Sequence, residues 1–282
     1  MNSAIHPRGL EPLAGFPFPV LVSPGGAARG RQVAERAART VEWLGRHVSM
    51  PETPPLFVVG PDDWDKVANI PLYGMPHVSS ERIVVGQRPA PFWDAVTGAI
   101  IPLVDPQGLE RLHAVYGEPL DLGGFADLLV SHELTHLAHG VDDAPEGPVT
   151  FWLRELAANL GLQGYVTEVE PAEAARLETV FEITWAAAPH SHWPVTDLAR
   201  MADSLEGDGS NYVWFEFGLH VLAKRLWQTA GAAAFRSVVS ALRGPAVDFG
   251  QVVDLLEDLD ADVARAVRDW PHFPPGIRPA SR

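Results

Sequence analysis

The sequence predicts an α+β fold: a small N-terminal lobe on a mixed sheet, then a helical lobe, with a metal-binding helix at their junction. Three observations predict it. Short apolar runs rich in Val, Ile and Leu, bounded by Pro and Gly, are concentrated in the first 105 residues, as strands require. From residue 106 onward, apolar residues recur every three or four positions over longer stretches, the period of amphipathic helices. Where the two patterns meet stands Ser131-His132-Glu133-Leu134-Thr135-His136-Leu137-Ala138-His139, with His132 and His136 four residues apart. The expected organisation is an irregular lead-in over 1–26, a sheet lobe over 27–124, a helical lobe over 125–269 and a tail over 270–282.

The lead-in is rich in Pro and Gly, with room for a short strand at 19–22. Residues 27–47 predict a helix on the stripe Val33, Ala37, Val41 and Leu44, closed by Pro51, Pro54 and Pro55. Leu56-Phe57-Val58-Val59-Gly60 reads as a buried strand, 62–67 as a helical turn, and 70–78 and 81–86 as two further strands. Residues 87–105 read as a loop holding a strand at 99–104. A helix follows at 106–116, with Asp105 as N-cap and Pro106 at its first position. The motif helix spans 125–139, buried on most sides, with Gly140 just past its end. The next runs over 151–165, capped by Thr150, and others over 171–187, 196–205, 211–230, 232–242 and 249–267. The Pro-rich tail from Trp270 is expected on the surface.

A formal net charge of −15 disfavours nucleic acid and anionic membrane surfaces as partners. No run approaches 18 uninterrupted apolar residues, so no membrane span is expected. The first 18 residues lack the charged-then-apolar pattern of a secretory signal, so a cytoplasmic location is expected; the chain is also expected to be a monomer. With no cysteine, disulfides and thiolate metal sites are excluded, and a metal must sit on His and carboxylate.

On a helix, side chains four residues apart share a face, so His132 and His136 can hold one ion. Glu133 leaves the next face, from which it can reach a water at the metal without competing as a ligand. A hydrolytic site needs a third protein ligand and an open fourth position. The following segment, Phe151-Trp152-Leu153-Arg154-Glu155-Leu156-Ala157-Ala158-Asn159, offers Glu155 among apolar neighbours, where a carboxylate must be paired or coordinating. Asp142 and Asp143 are the alternatives. Asn159, one turn on, can accept from the ring nitrogen of a ligand histidine. His139 reads as a C-terminal helix histidine favoured by the dipole. His190 and His192 read as loop residues, and His220 with Trp152, Trp185, Trp214 and Trp227 as core.

HExxH followed by 18 residues and a Glu in a Trp-Leu-x-Glu context resembles the gluzincins, the thermolysin-like zinc metallopeptidases. The gap is that of the aminopeptidase and leukotriene-hydrolase branch, and the likeness covers roughly residues 125–245. It implies a thermolysin-like catalytic domain, zinc on His132, His136 and Glu155, Glu133 as general base, and a peptide or protein substrate. In that branch a tyrosine opening a later long helix donates to the oxyanion. Asn211-Tyr212-Val213-Trp214-Phe215-Glu216-Phe217-Gly218 is similar to that segment, which assigns the role to Tyr212. The branch's Gly-x-Met-Glu-Asn segment has its nearest counterpart in Tyr73-Gly74-Met75-Pro76-His77, without the Glu and Asn. An isolated catalytic domain is therefore expected, not an aminopeptidase. An extended substrate is expected to pair with the strand carrying Val84 or with 73–77. The same residues are compatible with a zinc-binding protein without turnover, or with a hydrolase of non-protein amides.

Overall fold

Among residues 9–141, 147–206, 209–273 and 277, which the computed structural model describes, five strands form one mixed sheet. They are β1 (Glu11–Leu13), β2 (Val20–Val22), β3 (Leu56–Val59), β4 (His77–Val78) and β5 (Ile83–Gly86), in the order β1-β2-β3-β5-β4. The central strands β2, β3 and β5 run parallel, and the edges β1 and β4 are antiparallel to their neighbours. Alternation along the strands sends Val20, Val22, Leu56, Val58, Ile83 and Val85 toward the helices, and Leu21, Phe57, Val59 and Val84 toward Trp64 and Val67. Burial on both faces is why these runs are apolar throughout.

Helix α1 (Ala27–His47) joins β2 to β3, and the short α2 (Pro61–Val67) follows β3. The chain then forms α3 (Phe92–Ile100), α4 (Pro106–Tyr116), α5 (Gly123–Ala126), α6 (Leu129–His139), α7 (Pro148–Val169), α8 (Ala174–Ala187), α9 (Ser210–Ala230), α10 (Ala232–Arg243), α11 (Phe249–Leu259) and α12 (Ala261–Arg268). Asp105 caps α4 by accepting from the Gly108 amide at 2.7 Å. The long α7 lies at the centre, packed by α1, α6, α9 and α10. Its Trp152, Leu153, Leu156, Leu160 and Leu162 are fully buried. None of the described helices is long and apolar enough to cross a membrane.

Several elements differ from the sequence reading. The lead-in contains β1, paired to β2. Residues 99–104 are not a strand: Trp93, Val96 and Ile100 share the buried face of α3, and Ile101–Leu103 continue it as a 3-10 turn. A short apolar run cannot by itself distinguish these two states. Of 70–78 only His77–Val78 is a strand, since Gly74, at φ +84°, turns the chain against Ala90. The motif helix is interrupted before α6, where Leu128 and Ser131 make three-residue backbone bonds and Asp127 reaches Arg29. Thr150 caps nothing, because α7 already begins at Pro148. Residues 198–205 form a 3-10 helix. The expected 249–267 helix breaks at Asp260, whose carboxylate caps α12 and accepts from Arg225 at 2.7 Å. The tail is not all on the surface: Trp270 stacks on Phe215 at 5.8 Å, and Phe273 and Ile277 are buried.

Glu170, just past α7, ties that helix to α1. It accepts from Arg36 at 2.8 Å, Arg39 at 2.6 Å and the Tyr165 hydroxyl at 2.6 Å. Burial opposes its charge, but Arg36, Arg39 and Tyr165 outweigh burial and hold the carboxyl at about 2. Its stabilising effect is therefore complete above the ordinary 4.5 and lost as pH falls toward 2. Glu170→Gln is expected to cost about 2 kcal/mol at neutral pH. Melting curves should show the gap to the parent closing in acid. A pH-independent gap would mean that packing, not charge, carries the effect.

Candidate metal centre

Nine of the eleven residues of α6 are buried, among them His132, His136 and His139. Its other buried polar groups are satisfied locally: the Ser131 hydroxyl meets that of Thr40 at 2.8 Å, and Thr135 donates to the Ser131 carbonyl. Helix α7 approaches closely because Gly161 faces Thr135, where any Cβ would overlap the threonine side chain. Gly161→Ala is expected to cost about 1–3 kcal/mol. It should also weaken metal retention by pushing α7 from α6, to be read from melting and from metal content after dialysis. Unchanged values in both would show that Thr135 yields freely.

This approach brings Glu155 onto the two histidines. Glu155 Oε2 lies 3.2 Å from His132 Nε2 and 3.5 Å from His136 Nε2, and the two Nε2 atoms are 3.2 Å apart. Atoms bound to one tetrahedral zinc at about 2.0–2.1 Å are separated by about 3.3–3.4 Å. The triangle matches that spacing, so the buried His132, His136 and Glu155 group could bind a metal ion.

The rings are oriented from behind. The His132 Nδ1–H donates to Asn159 Oδ1 at 3.2 Å, and the Asn159 amide nitrogen donates to Glu216 at 2.9 Å. On the other side, His136 Nδ1–H donates to His139 Nε2 at 3.2 Å, while His139 Nδ1–H donates to the Gly140 carbonyl at 3.3 Å. Both chains leave Nε2 facing the shared point, as metal ligation requires. His139 is thus not the charged histidine that a helix dipole favours: burial holds its pKa well below the usual value.

The cluster attracts positive charge. Burial alone would depress His132, but the Glu155 bond and the field of Glu133 raise it to about 9. Burial is opposed at Glu155 by His136 and His132, which hold the carboxyl well below its usual range. Burial pushes Glu133 up to about 8, and Glu216 likewise, the latter helped by the charge of Glu155. Tyr212, raised well above its ordinary value by burial and then by Glu155, Glu216 and Glu133, keeps its proton.

Glu133, His136 and Glu155 line a cleft of about 640 Å³ whose wall includes His77 and Val78 of β4. The strand carrying Val84 cannot receive a substrate, because β5 is paired on both sides. The available edge is β4. His77 is fixed there in its neutral form, with Nδ1–H on the Met75 carbonyl and Nε2 accepting from the Asn69 amide.

Compared with family models, curated proteins and solved structures, the chain matches none. His190 packs near Trp185 and Trp214, and His192 is exposed; neither lines the cleft. His220 stacks on Phe181 at 3.8 Å and bonds Gln163, so it belongs to the core, as do Trp152, Trp185, Trp214 and Trp227. Asp142 and Asp143 lie outside the described residues. Sequence reasoning missed Glu216 and the role of His139. Glu216 follows Tyr212 by one helical turn within the otherwise apolar stretch 212–219, which was the available signal.

Proposed function

We propose that this chain is a gluzincin-like metallopeptidase that holds zinc on His132, His136 and Glu155 and hydrolyses peptide bonds. The observation that carries the reading is the triangle of ligand atoms with Glu133 beside it in the cleft. A purely structural metal site closes its coordination and has no use for such a carboxylate. Zinc, when bound, supplies Lewis acidity that polarises a carbonyl and acidifies water.

The remaining work falls to the chain. Glu133, which lines the cleft beside the ligand triangle without belonging to it, is placed to take a proton from the attacking water and return it to the leaving amine. Tyr212 keeps its proton on a bond to Glu216, and its donation to the oxygen that becomes negative requires the hydroxyl to exchange that carboxylate for the substrate. The free edge of β4 offers backbone groups to an extended peptide. Asn159 and His139 hold the two imidazoles in register.

The test is metal content by elemental analysis together with cleavage of a mixed peptide library by the zinc-loaded protein. Stoichiometric zinc with cleavage supports the reading. Failure to bind zinc would sink it, and zinc without cleavage would favour a binding role.

A further inference from the structure

The cleft holds a cation that the proposed chemistry does not use. Arg154 precedes Glu155 on α7 and lines the same cleft. One of its terminal nitrogens, Nη2, donates to the carbonyls of Gly140 at 3.1 Å and Val141 at 3.2 Å. This pins the guanidinium to the end of α6, beside the metal ligands. A guanidinium has five N–H groups, so three remain after these two bonds. Among the described residues those three have no protein acceptor, and no carboxylate forms an ion pair with Arg154.

Among the described residues, the other charged groups lining the cleft are engaged elsewhere. Glu155 is taken up by the histidines. Asp203, across the cleft, pairs with Arg200 at 2.8 Å. His77 is neutral and bonded through both ring nitrogens. Most arginines in contact with α7 and its neighbours have an acid partner, as Arg36, Arg39 and Arg225 do. A guanidinium that is held rigid by backbone carbonyls, with its remaining donors beside a reaction site, is prepared for an anionic ligand.

Resting on the metallopeptidase reading, we propose that Arg154 is a specificity-determining residue that binds a carboxylate of the substrate, making the preferred substrates peptides with an acidic group near the scissile bond. That group is either a free C-terminal carboxylate or an acidic side chain, which share the same chemistry.

Three peptidyl hydroxamates, which anchor on zinc, test this with the zinc-loaded full chain. One ends in a free carboxylate, the second is its C-terminal amide, and the third is an amide carrying an internal glutamate. Calorimetry should show one of the carboxylate probes binding about 10- to 100-fold more tightly than the neutral one, and which of the two does so identifies the source. The preference should vanish in Arg154→Gln and be partly kept in Arg154→Lys. Equal affinity of all three for the parent would overturn the inference and leave the metal site standing. Binding of none would overturn both. The parent comparison decides the matter even if the glutamine variant, which loses the clamp on α6, does not fold.

Discussion

Glu133→Gln is expected to lower peptide hydrolysis by about 10²- to 10⁴-fold while leaving zinc content unchanged. The substitution keeps the shape of the side chain and removes its ability to take a proton. Glu133 lines the cleft alongside His136 and Glu155, yet it is not one of the three atoms that form the ligand triangle. Loss of activity with retained metal therefore separates a base from a ligand. Loss of zinc as well would make Glu133 a ligand, and full activity would move the base elsewhere. The same pair of measurements on Glu155→Ala should show the reverse pattern, with zinc lost first. Retained zinc there would send the third ligand back to Asp142 or Asp143.

Zinc is expected to stabilise the folded chain by roughly 4 kcal/mol at a thousandfold excess over its dissociation constant. For a chain of this size that corresponds to a rise in Tm of about 8–16 °C. Without metal, stability should fall as pH rises above about 7. Glu133 and Glu216 stand at about 8 against an ordinary 4.5, and His132 at about 9 against 6.5. Above about pH 7 these three groups make the folded state bind more protons than the unfolded one, so unfolding becomes easier with each added pH unit, whereas His136, His139 and His220, held below the usual histidine value by burial, act in the opposite sense at lower pH. The stabilisation is complete below the lower values and lost as pH passes through the upper ones. Zinc binding would displace the His132 proton, so at neutral pH it should release protons and tighten up to about pH 9. Thermal melts from about pH 7 to 9 with and without zinc check both signs over that range. A metal-free protein whose Tm rises with pH, or a Tm indifferent to zinc, would contradict this account.

How much was legible varies with the physics of each feature. The strands β3 and β5 could be read because burial on both faces demands uninterrupted apolar runs. The cap at Asp105 was legible because an N-cap is a local bond. The short run at 99–104 was misread because its helical partners, Trp93 and Val96, lie upstream of it. The interruption at Asp260 was missed because its stabilising partner, Arg225, is 35 residues away.

The sequence by itself determined the metal-binding possibility. Four-residue spacing on a helix puts His132 and His136 on one face whatever surrounds them, and leaves Glu133 beside them. Only the tertiary structure decided which distant groups complete the site. The close approach permitted at Gly161 brings α7 against α6, and that contact sets Glu155 on the histidines, Asn159 behind one ring and Arg154 at the end of α6. His139 shows the same division: its position was plain, but whether it is a charged surface group or a neutral partner of His136 depends on burial. Burial is a property of packing between helices, and no local pattern encodes it.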